Sequence, residues 1–341
     1  MNFQLPKSHY EATWAYLNSV HPGVFTDTMI STGPDPAYAD FYRTIVPPAS
    51  LNESQYTNFI NIYFHLYHMR QAGSKIFYVT PNLCARLAQT QVNIDTYFLR
   101  SPFREIFVQV DPGLFFIKDV DGTEKPVHGF YVYLRDFESY KQVRVMACAL
   151  LKPTEDIAYN DVTFYFKMEL TEGKVKEQVA KYVQDRLVDQ ANEMKRFGGY
   201  RNIMFLEEFT NFVFNVLLYI TSKSPDFLEY IPEDFSKKLS GIKSAAKKRK
   251  LEQRIQRTGS HKIIIVGANI QDKDDTINHI QRAGGIGAWK LQNRVRVSGH
   301  WRAQWYGNEK EGTRRAETIW IDDYEKGPEF AELMNKQFSV K

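Results

Sequence analysis

Apolar residues recur at helical spacing through the first hundred positions. Phe59, Ile62, Tyr63, Leu66 and Met69 fall on one side of a helix. Ahead of them, Ser50-Leu51-Asn52-Glu53 places Glu three residues after Ser, the pattern of a capping box, and Gly73 stops the element. Thr80-Pro81 reads as an N-cap and a first-turn proline, opening a short helix through Leu83, Leu87 and Ala88. From Glu105 the period drops to two. Ile106, Val108 and Val110 alternate with polar partners, Pro112-Gly113 makes a turn, and Leu114 to Lys118 forms the next strand. Asp121-Gly122 signals a hairpin before Val127 to Leu134, and Val143 to Leu151 and Val162 to Met168 continue the pattern. Residues 105–168 are thus expected to form an antiparallel meander. Val175, Val179, Tyr182, Val183 and Leu187 mark a further helix. Another, from about Tyr200 to Ser222, is apolar nearly all round and therefore buried. Ser224-Pro225 and Ile231-Pro232 close this region, and Lys262-Ile263-Ile264-Ile265-Val266 reads as a buried strand.

The clearest alternation lies near the C-terminus. Residues 294–306 read RVRVSGHWRAQWY. Side chains on a strand point to opposite faces in turn. An extended segment therefore sends Val295, Val297, Trp301 and Trp305 into a core and lines the other face with Arg294, Arg296, His300, Arg302 and Tyr306. A bend at Gly299 would curl the strand or split it. The loop Gly307 to Gly312 and a return strand from Arg314 to Ile321 follow. The expected fold is α+β, with N-terminal helices, an antiparallel sheet and a smaller C-terminal β-rich module built on a curled sheet. The expected division is a partner-recognition domain at 1–235, a basic linker or helix at 236–261, and a β-rich basic module at 262–341.

The 341 residues are 43% apolar and 25% charged, which excludes a largely disordered chain, a collagen-like repeat and a disulfide-stapled miniprotein. Charge changes the picture more than composition does. The net +4 conceals 22 Lys and Arg against 28 Asp and Glu in residues 1–236, 19 against 6 in residues 237–315, and 3 against 6 in residues 316–341. The surplus of thirteen in the middle block attracts polyanions at long range. It is densest at Lys237 to Lys262, around Lys247-Lys248-Arg249-Lys250, where loosely periodic Leu239, Ile242, Ala246 and Leu251 admit a helix. That run reads equally as a solvated helix face or linker and as a phosphate-contacting arm. Cys84 and Cys148 sit in apolar settings, as small buried hydrophobes do in a reducing compartment. The opening MNFQLPKSHYEATW does not resemble a secretory signal. The longest apolar stretch, Phe209 to Ile220, is shorter than the ~20 residues a bilayer span needs. A cytosolic protein is expected.

Three Arg, a His and a Tyr on one sheet face suit phosphate and base contacts, because guanidinium forks pair with phosphate and flat rings stack on unpaired bases. The candidate contacts are Arg294, Arg296, His300, Arg302, Tyr306 and Arg314, with Lys247, Lys248, Arg249 and Lys250 as auxiliaries. The plainer reading is that a half-exposed sheet puts ordinary polar residues on its wet side. His300 with Arg302 and Tyr306 also supplies the residue types of a metal-free ribonuclease. The partners open to it are His261, His279, Glu309 and Glu317. No metal or cofactor is expected. His65 and His68 lack companions at ligand spacing, and the loop from Asp272 puts Ile277 and Ala283 where a calcium loop needs Gly and Glu. Gly284-Gly285-Ile286-Gly287 does not follow a strand and open a helix, as a nucleotide-binding loop must.

Gly299-His300-Trp301, with Arg296 before it and Trp305, Gly307 and Ile319-Trp320-Ile321 after it, resembles the C-terminal signature of a type V-A anti-CRISPR protein family of phages and other mobile elements. Residues 102–134, with PFREIFVQVDPGLFFIKD and then VHGFYVYL, resemble the family's proline-led strand, turn and Gly-aromatic hairpin. The resemblance implies an inhibitor that lowers the CRISPR nuclease through its transcript during translation, with RNA and a protein or nascent peptide as partners in the bacterial cytosol. It does not extend to the basic segment at 237–257. Two alternatives stay open: a metal-free ribonuclease acting through His300, and a phage virion or host-takeover protein.

Overall fold

Strand β1 (Ile76–Val79) is apolar at all four positions and buried at all four, so it must run inside a sheet covered on both faces. In the computed structural model it does. The structure describes residues 8–20, 53–118, 122–149, 162–197, 203–230, 240–257, 263–270, 295–297, 299–308, 310–322 and 324–326. Its main sheet has seven strands, in the order β7-β6-β5-β2-β1-β9-β8. These are β1, β2 (Glu105–Gln109), β5 (Gly129–Asp136), β6 (Lys141–Ala149), β7 (Val162–Leu170), β8 (Phe227–Tyr230) and β9 (Ile263–Val266). The β2, β5, β6 and β7 pairings are antiparallel, as the alternation predicts.

Two features depart from the expected meander. The segment after Pro112-Gly113 leaves the sheet and forms its own hairpin, β3 (Phe116–Lys118) with β4 (Glu124–Pro126). And β1 and β9, which the meander does not include, pair in parallel, with β1 also parallel to β2. Parallel neighbours need a crossover, and α3 (Pro81–Ala88) lies in the connection from β1 to β2. β9, at the head of segment 262–341, lies between β1 and β8 in the main sheet. Its IIIV sequence is the reason: a strand apolar on both faces is stable only between neighbours.

The side-chain alternation divides the interior in two. Phe130, Val132 and Leu134 of β5 join one core with α3, α4 (Val175–Phe197) and α5 (Ile203–Ile220). Tyr131 and Tyr133 join the other, against α1 (His9–Val20) and α2 (Glu53–Gln71). The fold is α+β, with helices on both faces of the sheet. Helix α5 is buried continuously from Phe212 to Ile220, as its all-round apolar sequence demands. Each such apolar side chain contributes ~1.5–3 kcal/mol relative to exposure. The helix stop at Gly73 holds, with φ +78° there. Ser50, Tyr200 to Asn202, Asp272 to Asp275 and Gly284 to Gly287 lie outside the described residues. Cys84 and Cys148 are buried free thiols, and burial pushes the Cys84 thiol well above its ordinary range.

The α1–α2 side carries a buried polar pair. His65 Nδ1 lies 3.0 Å from Glu105 Oε1, and both side chains are fully excluded from solvent. Burial holds His65 well below its ordinary pKa, helped by His68 and Arg144, and holds Glu105 well above its own. Both directions favour the uncharged forms, which can share one hydrogen bond between Nδ1 and Oε1. His65 and His68 thus belong to the interior. Among the described residues, no three His, Cys, Asp or Glu side chains gather as a metal site. No described helix is long and apolar enough to cross a membrane.

Candidate nucleic-acid interface

The alternating segment splits where glycine was expected to bend it. β10 (Val295–Val297) pairs with β13 (Tyr324–Lys326), while β11 (His300–Tyr306) pairs with β12 (Arg315–Ile321). Gly299 is required at the break. A Cβ there would stand 2.6 Å from Cζ2 of Trp320.

The root of the β11–β12 hairpin is anchored to the body. Trp301 is 8% exposed, and its Nε1 donates to Asn215 Oδ1 at 2.7 Å from the middle of α5. The same amide donates through Nδ2 to the carbonyls of Leu87 and Thr90, at 2.9 and 2.7 Å, at the C-terminal end of α3. One buried Asn thus ties two helices to the hairpin, and each of its bonds replaces a desolvation cost. Trp320 packs edge-on against Trp301 with ring centroids 4.9 Å apart, and its Nε1 donates to Asp322, which also pairs with Arg86 at 3.1 Å.

The tip extends beyond this support. Asn308 organises the turn. It accepts from Thr313 N at its carbonyl and from Lys310 N at Oδ1, at 3.1 and 3.0 Å, and its own Nδ2 donates to Glu311. Gly307 has φ +83°, and a Cβ there would collide with the Thr313 carbonyl oxygen.

Register places His300, Arg302, Gln304 and Tyr306 on one face, opposite Ile321, Ile319, Glu317 and Arg315. Arg302 is exposed, and no carboxylate among the described residues reaches it. Tyr306 is half-buried beneath Lys223, whose Nζ lies 3.7 Å from the ring centroid. Lys223, from the loop after α5, also pairs with Glu317 at 3.2 Å, and Arg315 pairs with the same carboxylate at 3.0 Å. Hydrogen bonds to Glu317 and Tyr306 raise the Lys223 ammonium above its ordinary range. Glu317, one of the partners open to His300 as a ribonuclease, is therefore held by two cations. His300 is half-buried beside Arg302. His261, His279 and Glu309 lie outside the described residues.

The opposite face overturns one expectation. Trp305 is not in a core; it is 54% exposed. Its cross-strand neighbour is the small Ala316, and among the described residues the helix that holds Trp301 makes no hydrogen bond to it. Arg314 lies over its ring at 4.6 Å, on the other side of the hairpin from the His300, Arg302 and Tyr306 row. Sequence reasoning missed Trp305 as a surface residue and Lys223 as a neighbour of Tyr306. The position of Trp305 two residues before the turn glycine was the available signal for the former; nothing local pointed to the latter.

Arg296 lies on β10 in register with Glu325, and Arg294 lies outside the described residues. The basic run forms helix α6 (Ala245–Arg257), with Lys247, Lys248, Arg249 and Lys250 all exposed. No described carboxylate reaches any of the four. Charge is distributed unevenly between the two elements. Residues 240–257 hold seven Lys and Arg against Glu252, whereas residues 295–326 hold six against six acids. The helix carries the field, and the hairpin carries the rings and forks.

Against known families, the AcrVA2-like model, anti-CRISPR type V subtype A2, matches residues 77–324, well over half of the chain. The chain belongs to this family. It is therefore an anti-CRISPR protein of type V subtype A2, and the matched span runs from β1 to the start of β13, taking in both the sheet and the hairpin. A solved structure described as the crystal structure of AcrVA2 is similar over 92% of each chain, at 15% identity and a TM-score of 0.42. No curated protein matches.

Proposed function

We propose that this anti-CRISPR protein acts in the bacterial cytosol by binding RNA, and that it lowers the type V nuclease through the nuclease transcript during translation. The observation that carries the reading is α6, a helix with a run of four consecutive exposed cations and no described carboxylate to neutralise them. Within the run Lys247 and Lys250 repel each other at i, i+3, and the crowded charge is relieved by a phosphate chain. Arg302 adds a fork on the hairpin, and His300 and Tyr306 add rings beside it. In this reading the remainder of the molecule, expected at 1–235, recognises a protein or nascent-peptide partner and brings the RNA-contacting elements to the transcript.

The test is the salt dependence of RNA binding by the full chain. Each phosphate contact to a single strand contributes a slope of about 0.7 in log affinity against log salt. Replacing Lys247, Lys248, Arg249 and Lys250 together with Ala should flatten the slope by up to about 2.8, and Arg302→Ala by about 0.7. In cells making the type V nuclease, the fourfold variant should restore the nuclease transcript. An unchanged slope in both variants would refute the RNA assignment.

A further inference from the structure

We infer that Trp305, with Arg314 over its ring, is a stacking seat for an unpaired nucleobase, so that the RNA is single-stranded where it crosses the hairpin tip. This deepens the RNA reading above and rests on it. An indole is the largest apolar side chain, and leaving it 54% exposed forgoes burial that the protein obtains in full for Trp301 four residues earlier. The tip is nonetheless built with care. The Asn308 bonds order the turn, and Ala316 opposite Trp305 is too small to cover the ring. The surroundings fit a nucleotide. Arg314 lies over one face of the ring at 4.6 Å, so a base stacked on the other face would have a guanidinium close by to meet its phosphate. Among the described residues, Glu317 is paired with Lys223 and Arg315, and the charged group over the indole itself is the Arg314 guanidinium. A duplex offers no base face to such a ring, whereas every unpaired base does. The seat lies on the opposite hairpin face from Arg302, so a strand using both passes over the tip.

The experiment uses the full-length protein and three labelled probes: a uridine-rich single strand, a blunt RNA duplex of equal length, and a single strand with abasic sites in place of bases. Trp305→Ala should weaken binding to the single strand by about tenfold or more, leave the duplex and the abasic strand unchanged, and leave the salt slope unchanged, because stacking releases no counterion. Trp305→Phe should recover most of the loss. Arg314→Ala should weaken single-strand binding and also lower the slope by about 0.7. Equal losses on all three probes, or no loss on the single strand, would overturn the seat. If wild-type protein binds RNA with its α6-dependent slope while Trp305→Ala is silent, the seat alone fails. If wild type binds none of the probes, the RNA reading fails with it. Loss of the cellular effect in Trp305→Ala with RNA binding intact would assign the indole to a protein partner and overturn the proposal.

Discussion

Trp301 and Trp305 lie four residues apart on the same strand and the same face, yet they have opposite fates. One is closed in against α5 with its N–H spent on Asn215; the other stands above the turn under a guanidinium. Alternation gives two residues the same direction and says nothing of what lies in that direction. At the root there is a helix; at the tip, among the described residues, there is not. The same strand is therefore a structural anchor at one end and an exposed surface at the other. The rigid end is what allows the exposed end to be held in place.

The largest expected effect tests this asymmetry directly. Trp301→Ala should cost about 3–5 kcal/mol, since it empties a packed site and leaves the Asn215 carbonyl oxygen buried without its donor. Trp305→Ala should stay within about 0.5 kcal/mol, as exposed substitutions do. Urea midpoints of the two variants measure both, and comparable losses would erase the distinction between root and tip. Next in size is Gly299→Ala. Its methyl would strike the flat edge of Trp320, and such overpacking costs about 1–3 kcal/mol. Because Trp320 leans on Trp301, the damage should appear as lost stability and a loosened hairpin, seen as faster amide exchange in β11 and β12.

The smallest effect sharpens the comparison by moving the body while leaving the tip alone. Burial favours the uncharged forms of the His65 and Glu105 pair in the folded protein, so its contribution to stability depends on pH from both sides. Unfolded Glu105 loses its proton above about 4.3, and unfolded His65 gains one below about 6.5. Between those values the folded and unfolded pairs hold the same number of protons, and their contribution is flat. Above about 6.5 only the folded carboxyl keeps its proton, so stability falls with rising pH, by at most about 1.4 kcal/mol per unit. Below about 4.3 only unfolded His65 carries the extra proton, so stability falls again. Glu105→Gln keeps a hydrogen-bond partner for His65 Nδ1 and should remove the alkaline decline while leaving the proposed RNA affinity at pH 7 unchanged. Denaturant titrations from pH 6.5 to 8.5 read this out. A variant that instead collapses at every pH would mean the pair is ionised.

Much of the fold was legible along the chain. The period of two in β2, β5, β6 and β7, the proline-led α3, the all-apolar α5 and the Gly299 break all appear in the structure, because each is dictated by local sterics or by a face that has to be buried. The parallel pairing of β1 with β2 and β9 was not legible. The β1–β9 pairing joins residues nearly two hundred apart, and a four-residue apolar run has the same appearance whichever neighbours it finds. The chemistry of the candidate interface divides along the same line. Lys247 to Lys250 could be marked from charge density alone. Trp305, Lys223 over Tyr306 and the capture of Glu317 could not, since they depend on where the sheet stops and which loop returns beside the hairpin.

Taken alone, the chain determined which side each residue of 300–306 faces, where the strand before it must break and where positive charge accumulates, for these follow from backbone geometry and composition. Only the tertiary structure decided how far the protein body extends beneath the hairpin, and so which tryptophan is core and which is surface. Burial is a property of what lies opposite a side chain, and what lies opposite these residues comes from helices far away in the sequence.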